Sequence, residues 1–351
     1  MDYSDVLAAA GRIDEHVLRT PVLEVSPGVF FKLELLQHSG SFKVRGAFNR
    51  MLSAGELPPS GVIAASGGNH GLAVAYAARA LGVRAEIFVP EVTSPVKVAG
   101  LSALGAHITQ TGAIYSDAAE AAAKRGAETG ALAVHAYDQA EVVAGQGTTG
   151  LEIVEQTGGV DTVLVAVGGG GFAAGITLGT SGGAPGLSGG VASGGAPGRS
   201  LGIASDDATG RSPQAASGGL PGSASEPGVV SGPRIVAVEP ERIPTLHEAL
   251  RAGEPVPVEV GGVAADALGA TKIGSVPFEI LSSPRVESVL VSEEAIVEAR
   301  RTLWARHRVA AEPAGATAYA ALLSGAYTPA PGERVAVVLC GSNTDPSTLT
   351  T

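Results

Sequence analysis

Short, nearly continuous apolar runs alternate along the chain with longer alanine-rich stretches that are typical of helices. Several of the short runs lack the apolar–polar alternation of a half-exposed strand, as expected for strands buried on both faces. The predicted strands are Val29–Leu33, Gly61–Ala65, Arg84–Val89, Val160–Val167, Arg234–Val238, Val286–Val291 and Arg334–Leu339. The predicted helices include Phe42–Ala54, Asn69–Leu81 and Ser116–Glu128. Alternating strands and helices predict an α/β fold with mainly parallel sheets.

The segment 181–230 departs from this pattern. Of its 50 residues, 36 are Gly, Ala, Ser or Pro, and none is Lys, Phe, Tyr or Trp. Such a composition buries too little apolar surface to offset the entropy lost on ordering, so we predict a flexible, largely disordered insertion. A partner-binding loop is the alternative interpretation.

Composition narrows the function. The chain has 351 residues, and its 23 Lys and Arg against 34 Asp and Glu give a formal net charge of −11, which argues against nucleic-acid or anionic-membrane partners. Cys340 is the single cysteine, which excludes an internal disulfide and a multi-cysteine metal site. The first residues lack a signal-peptide pattern, and no apolar stretch is long enough to span a bilayer. We therefore expect a soluble, cytoplasmic protein.

Four strand-to-helix junctions have unusual chemistry, and ligands of parallel sheets gather at such junctions. At the first, Ser41 is predicted to cap a helix that has Lys43 in its first turn. The positive helix end disfavours an ammonium group and lowers the pKa of the Lys43 amine. A neutral lysine amine is a nucleophile that forms Schiff bases with carbonyls. An ordinary surface lysine is the alternative.

The second junction runs from Ser66 to Gly71. The free backbone amides of Gly67 and Gly68, together with the Ser66 hydroxyl, could hold a carboxylate. Asn69 offers a side-chain amide to another oxygen, although a turn followed by an Asn cap explains the same residues. His70 is more typical of a structural histidine than of a catalytic one.

The third junction places four glycines, Gly168, Gly169, Gly170 and Gly171, between a buried strand and a helix. Their amides predict a phosphate site. Gly169, Gly171 and Ala174 also fit a dinucleotide fingerprint, but the acidic residue required about twenty positions later would fall in the low-complexity segment. A monophosphate is therefore favoured.

At the fourth junction, Cys340 and Ser342 follow the last predicted strand, where Cys340 is either a polar partner for a ligand or a small buried side chain. A reactive lysine, a phosphate site, a carboxylate site and a neutral polar partner together match pyridoxal 5'-phosphate and an amino-acid substrate.

The same segments carry a family resemblance. They are Ser41–Ala47, Ser66–His70, Gly145–Thr148, Gly168–Gly171, Glu312–Ala316 and Cys340–Asn343. In these motifs the chain resembles the serine/threonine dehydratases, which are fold-type II (tryptophan synthase β-like) pyridoxal-phosphate enzymes.

The resemblance implies a role for each site residue. Lys43 binds the cofactor aldehyde and acts as general base, Asn69 bonds the cofactor 3-hydroxyl, and Cys340 faces the pyridine nitrogen. The phosphate is held by Gly168, Gly169, Gly170 and Gly171. The substrate carboxylate is bound by Ser66, Gly67, Gly68 and His70.

The resemblance also implies an architecture. It predicts a homodimer in which each chain has two domains, with the cofactor between them. Residues 1–40 and 141–351 form the larger domain, and residues 41–140 form the smaller one.

Two departures from the family pattern refine the expected activity. Gly67 replaces the serine that serves the opposite face of the cofactor in serine racemases, so we expect little racemase activity. Relatives activated by a divalent cation have a Glu and an Asp about six residues apart, whereas this chain has Glu239 and Thr245, so we expect no bound metal.

The expected reaction is dehydration and deamination of L-threonine or L-serine to a 2-oxo acid and ammonia. Another β-hydroxy amino acid, such as 3-hydroxyaspartate or an ectoine-pathway intermediate, is an alternative substrate. A catalytically silent ligand-binding protein or a nucleotide-dependent oxidoreductase is the alternative from another class.

Overall fold

The computed structural model describes residues 1–182 and 232–349. Apart from its first two residues, the predicted insertion 181–230 lies outside the described residues. The described strands are β1 (Val22–Ser26), β2 (Val29–Lys32), β3 (Val62–Ala65), β4 (Ala85–Val89), β5 (His107–Gln110), β6 (Leu132–Ala133), β7 (Thr162–Ala166), β8 (Arg234–Pro240), β9 (Val286–Val291) and β10 (Val335–Val338).

Twelve α-helices connect these strands in the described part of the chain. They are α1 (Tyr3–Ile13), α2 (Lys43–Ser53), α3 (Asn69–Ala80), α4 (Pro95–Ala103), α5 (Tyr115–Thr129), α6 (Ala140–Thr157), α7 (Gly171–Gly179), α8 (Thr245–Ala252), α9 (Ala265–Leu268), α10 (Ser275–Leu281), α11 (Glu293–His307) and α12 (Pro313–Ser324). None of these helices has the length and apolar character needed to cross a membrane.

The strands form two sheets. The larger has the order β1-β2-β10-β7-β8-β9, with only β1 antiparallel to its neighbour. The smaller has the order β5-β4-β3-β6 and is entirely parallel. The α/β fold with mainly parallel sheets is thus confirmed. All strands of the smaller sheet come from residues 62–133, while the domain limits at 40 and 140 stay a prediction.

Burial on both faces explains why the central strands lack alternation. Every residue of β7 and β4 is buried. Helices α7 and α12 pack against the larger sheet, and α3 and α5 pack against the smaller one. These helices keep water from both faces, so the central strands are mostly apolar, with Glu86 in β4 and Thr162 in β7 as buried polar exceptions.

All seven predicted strands and all three predicted helices are present, with ends that differ by a few residues. Gly55 and Gly82 follow α2 and α3 and have left-handed φ angles of 72° and 69°, as is typical of glycines that end helices. The structure adds β1, β5 and β6, which the pattern did not reveal. The strands β1 and β5 lie at sheet edges and are only partly buried, and β6 has two residues.

Candidate active site

A cavity lies where β7 and β10 end in the larger sheet and near the end of β3 in the smaller one. Parallel strands place their carboxyl ends on the same edge, and ligands of α/β proteins bind there. The cavity is lined by Phe42, Lys43, Asn69, Tyr137, Ala166, Gly168, Gly169, Gly170, Gly171, Phe172, Ala267, Leu268, Glu312, Ala314 and Cys340. All four predicted junctions therefore contribute residues to one cavity, and the second contributes Asn69 alone.

Lys43 is the first residue of α2, and its Nζ donates a hydrogen bond to the carbonyl oxygen of Ala136 at 2.8 Å. The same Nζ lies 5.0 Å from the centre of the Phe42 ring. Burial lowers the pKa of Lys43 to about 8, against the attraction of Cys340 and Glu312, which raises it. An amine with this pKa is partly neutral near neutral pH, as a nucleophile or base requires.

The expected cause of this lowered pKa was partly wrong. Ser41 does not cap α2, because Phe42 occupies the cap position and no side chain accepts a hydrogen bond there. The Ser41 backbone pairs instead with Gly341, and its buried hydroxyl has no hydrogen-bond partner among the described residues. Burial is therefore the first cause of the lowered pKa.

The four glycines form a loop between β7 and α7. None of the amides of Gly168–Gly171 donates a hydrogen bond to another described residue. Gly170 has a φ of +86°, and a Cβ added there would lie 2.6 Å from Ile273 Cδ1. The loop thus offers free amides at the start of a helix and leaves no space for a side chain at Gly170. Free amides at a helix start are typical of a phosphate site.

Asn69 is held from both sides. Its Nδ2 donates to Oε1 of Glu312 at 2.6 Å, and its Oδ1 accepts from Nδ2 of Asn343 at 2.7 Å. The same Asn343 nitrogen donates to the carbonyl oxygen of Ser39 at 2.8 Å. Burial raises the pKa of Glu312 to about 7, although the Asn69 hydrogen bond lowers it. This chain of contacts fixes which end of the Asn69 amide faces Glu312.

Cys340 follows β10 and is buried, and its Sγ lies 3.6 Å from the carbonyl oxygen of Ala314. Burial raises the pKa of the Cys340 thiol well above its ordinary value. The thiol is therefore neutral at physiological pH and can contact a ring nitrogen without placing a charge beside it.

The predicted carboxylate residues occupy a different position. Ser66, Gly67 and Gly68 form the loop between β3 and α3, beside Asn69, but they do not line this cavity. His70 does not line it either, and its Nε2 contacts the carbonyl oxygen of Val134 at 2.8 Å. Burial lowers the pKa of His70 to about 3, so the ring is neutral. This agrees with the structural role considered for His70 and gives it no direct contact with the cavity.

The sequence analysis missed four lining residues with aromatic or acidic side chains as site residues, namely Tyr137, Phe42, Phe172 and Glu312. Tyr137 covers Gly169, where an added Cβ would lie 2.3 Å from the ring. Phe42 and Phe172 stack with ring centres 3.8 Å apart and join the start of α2 to α7. Glu312 stood within a quoted motif, but only its burial beside Asn69 reveals its chemistry. Sequence spacing contained no signal for Tyr137.

The donor set fits pyridoxal phosphate. Lys43 supplies an amine for an aldehyde, the glycine amides supply donors for a phosphate, and Cys340 supplies a neutral partner for a ring nitrogen. Asn69 has a second Nδ2 proton for an oxygen. Among the described residues, no group of three or more His, Cys, Asp or Glu side chains could hold a metal ion.

Comparison with known proteins agrees with this donor set. The profile of a family described as pyridoxal-phosphate dependent enzyme matches residues 13–203 and 214–341. The L-threonine ammonia-lyase of Geobacter sulfurreducens is 34% identical over 357 residues, covering 99% of this chain and 77% of that enzyme. The structure of maize serine racemase has a TM-score of 0.80 at 26% identity, covering 99% of this chain and 95% of its own. The threonine deaminase of T.th. has a TM-score of 0.78 at 32% identity, covering 98% of this chain and 99% of its own.

Proposed function

Because the chain belongs to the family of pyridoxal-phosphate dependent enzymes, we propose that it is an ammonia-lyase acting on L-threonine and L-serine. The products are a 2-oxo acid and ammonia. The observation that carries this proposal is the buried amine of Lys43, with its pKa lowered to about 8, in the same cavity as the four glycine amides and Cys340. A catalytically silent binding protein would not need a partly neutral lysine amine. The match to this family argues against the alternative of a nucleotide-dependent oxidoreductase.

The proposed roles follow from the contacts. Pyridoxal phosphate supplies an acceptor for the electrons released at the substrate Cα. Lys43 holds the cofactor aldehyde in the resting enzyme, and its freed amine removes the α-proton when substrate is bound. Gly168, Gly169, Gly170 and Gly171 hold the phosphate through their amides. Asn69 donates its remaining amide proton to the cofactor hydroxyl.

The neutral Cys340 thiol directs the outcome. Since it gives no proton to the ring nitrogen, negative charge at Cα is poorly stabilised, and prompt loss of the β-hydroxyl is favoured over reprotonation. The proton that Lys43 took from Cα passes to the departing hydroxyl, which leaves as water. The amino-enoate that is released changes to its imine, and water hydrolyses the imine to a 2-oxo acid and ammonium. Gly67 offers no acid or base on the opposite face, which agrees with elimination rather than racemisation.

The substrate carboxylate is proposed to bind at the loop before α3, with the Ser66 hydroxyl and the amides of Gly67 and Gly68 as donors. His70 would support this loop through its contact with Val134 rather than touch the substrate. A substrate with a second carboxylate, such as 3-hydroxyaspartate, fits less well. Among the described residues that line the cavity, Lys43 is the only one with a cationic side chain, so none of the others offers a cation to that carboxylate.

The test compares Lys43→Ala with Lys124→Ala, an exposed lysine on α5. We expect Lys43→Ala to lose turnover of L-threonine and L-serine by at least about a thousandfold, as general-base and covalent roles both disappear. Lys124→Ala should match the wild type. The measurement is 2-oxo acid formation, together with the visible absorption of the cofactor.

Wild-type turnover in Lys43→Ala would contradict the proposal. A protein that binds the cofactor and turns over 3-hydroxyaspartate, but neither threonine nor serine, would replace the substrate and keep the reaction class.

We also propose that the protein acts in the cytoplasm as a homodimer with the two-domain division given above. The support is the resemblance to the dehydratases and the acidic composition. Light scattering of the purified protein checks the dimer.

A further inference from the structure

The glycine loop is held by its carbonyl oxygens. The Gly169 oxygen accepts from the amide of Gly274 at 3.1 Å, and the Gly170 oxygen accepts from the amide of Ala174 at 2.9 Å. The Gly168 oxygen accepts from the hydroxyl of Thr245 at 2.5 Å. Among the described residues, Thr245 is thus the one side chain that holds any of these three oxygens.

These contacts orient the amides of the loop. A peptide unit is planar, and in the trans form its C=O and the following N–H point in opposite directions. The contact at the Gly168 oxygen therefore fixes the direction of the Gly169 amide, which points away from Thr245. The other two contacts fix the amides of Gly170 and Gly171 in the same way.

Thr245 is itself held firmly. It is fully buried as the first residue of α8, and its hydroxyl also lies 3.0 Å from Oε1 of Glu239. The Glu239 carboxyl accepts from the amides of Leu246 at 2.7 Å and His247 at 2.9 Å. The hydroxyl thus joins the end of β8 and the start of α8 to the loop that follows β7.

We propose that Thr245 is a positioning residue for phosphate binding, because its hydroxyl fixes the Gly168 carbonyl and so aims the Gly169 amide. This inference rests on the proposed function, since the phosphate is that of the cofactor. Glu239 supports the hydroxyl from the opposite side. The Glu239 carboxyl and the Thr245 hydroxyl thus connect the end of β8 and the start of α8 to the glycine loop.

The test uses the apoprotein and two aldehydes, pyridoxal 5'-phosphate and pyridoxal, which lacks the phosphate. Binding is titrated by visible absorption without substrate. Thr245→Val keeps the side-chain size and removes the hydroxyl, and we expect it to weaken pyridoxal phosphate binding by about tenfold or more. Pyridoxal binding should change by less than about twofold, because the Gly169 amide has no phosphate to hold. Thr245→Ser restores the hydroxyl and should bind both aldehydes like the wild type.

Thr177→Val is the matched control. Thr177 is buried on α7, and its hydroxyl donates to the carbonyl of Ala173 within the same helix, away from the loop. Thr177→Val should leave the affinities for pyridoxal phosphate and for pyridoxal unchanged. Thr245→Cys, with a weaker donor of similar size, gives an intermediate loss and is the second variant should the valine protein unfold.

Two results would overturn the inference. Equal weakening of both aldehydes by Thr245→Val would indicate general damage, and unchanged affinity for both would show that the hydroxyl has no role. A wild-type protein that binds neither aldehyde would overturn the proposed function as well, so the two failures are distinguishable.

Discussion

The Glu312 carboxyl is buried and lines the cavity, and its Oε1 accepts a hydrogen bond from the Asn69 amide. Its raised pKa, about 7, results first from burial, and Asp266 raises it further while Lys97 and Arg300 lower it. A carboxyl with this pKa changes its charge near physiological pH. Because Asn69 Nδ2 donates to this carboxyl, the charge of Glu312 affects the same amide group that is expected to donate to the cofactor hydroxyl.

We expect Glu312 to make stability fall with rising pH. Its folded pKa lies above the unfolded value of 4.5, so the native state binds more protons between these values. The contribution is present below about pH 4.5 and is lost as pH rises through about 7, with a magnitude on the order of 3 kcal/mol. Glu312→Gln cannot titrate and should be less sensitive to pH over this range. Urea unfolding of both apoproteins at pH 5 and pH 7.5 measures the difference.

An equal fall in stability in both proteins would show that Glu312 titrates normally. Glu298→Gln, at a residue on α11 outside the cavity, is a control that should retain the wild-type pH dependence.

Single residues were predictable where residue type alone limits the chemistry. Lys43 stood out because the positive end of a predicted helix disfavours an ammonium group in its first turn, yet the structure gives burial as the first cause of its lowered pKa. Tyr137 and Glu312 could not be found this way, because their proximity to Gly169 and Asn69 is produced only by the tertiary fold.

At the scale of elements, the strand-to-helix loop after β7 depends on its backbone conformation. Gly170 combines a left-handed φ of +86° with close neighbours, whereas Gly158 after α6 has φ +70° and no neighbour within 4 Å of an added Cβ. The two glycines thus have similar conformational strain and different surroundings.

Replacing each glycine by alanine separates these effects. Both variants should lose about 1–2 kcal/mol of stability from the left-handed conformation, and Gly170→Ala should lose more because its Cβ would lie 2.6 Å from Ile273 Cδ1. Gly170→Ala should also weaken pyridoxal phosphate binding by about tenfold or more, because the added Cβ displaces amides that bind a charged group. Thermal unfolding and cofactor titration are the measurements. Equal cofactor affinity in the two variants would contradict the proposed phosphate site.

Elements were predictable in proportion to their burial. The central strands β4 and β7 gave clear apolar runs, because both faces are covered by helices. The edge strand β1 mixes exposed and partly buried residues in the order Val-Leu-Glu-Val-Ser, so its pairing with β2 left little pattern in the sequence.

At the scale of the molecule, a buried charge network joins α2, α6 and the segment after β2. Arg45 donates to both oxygens of Glu34 at 2.8 Å, to Oε1 of Glu152 at 2.7 Å and to the Thr148 hydroxyl at 3.0 Å. Lys32 donates to the other Glu152 oxygen at 2.5 Å. Since Arg45 lies two residues after Lys43, the network holds the start of α2 in place.

We expect Arg45→Met to lower the free energy of unfolding by about 3–5 kcal/mol, because it leaves the buried Glu34 without its partner. The control is Arg19→Met, which breaks the ion pair between Arg19 and Glu155. These two side chains are 51% and 60% exposed, so this variant should lose less than about 1 kcal/mol in free energy of unfolding. Urea unfolding of the two variants gives the comparison. Similar small losses in both would mean that the network contributes little to stability.

The position of β2 between β1 and β10 has a consequence for biosynthesis. The Ser342 hydroxyl donates to the carbonyl oxygen of Leu35, 307 positions earlier in the chain. During translation β2 therefore leaves the ribosome long before β10 exists, and one of its edges stays without a partner for most of that time. Unpaired strand edges favour aggregation, which makes this edge a site where a nascent chain benefits from a chaperone. Cys340 is the last of the cavity-lining residues to be synthesised, so the complete cofactor site forms only after β10 has been made.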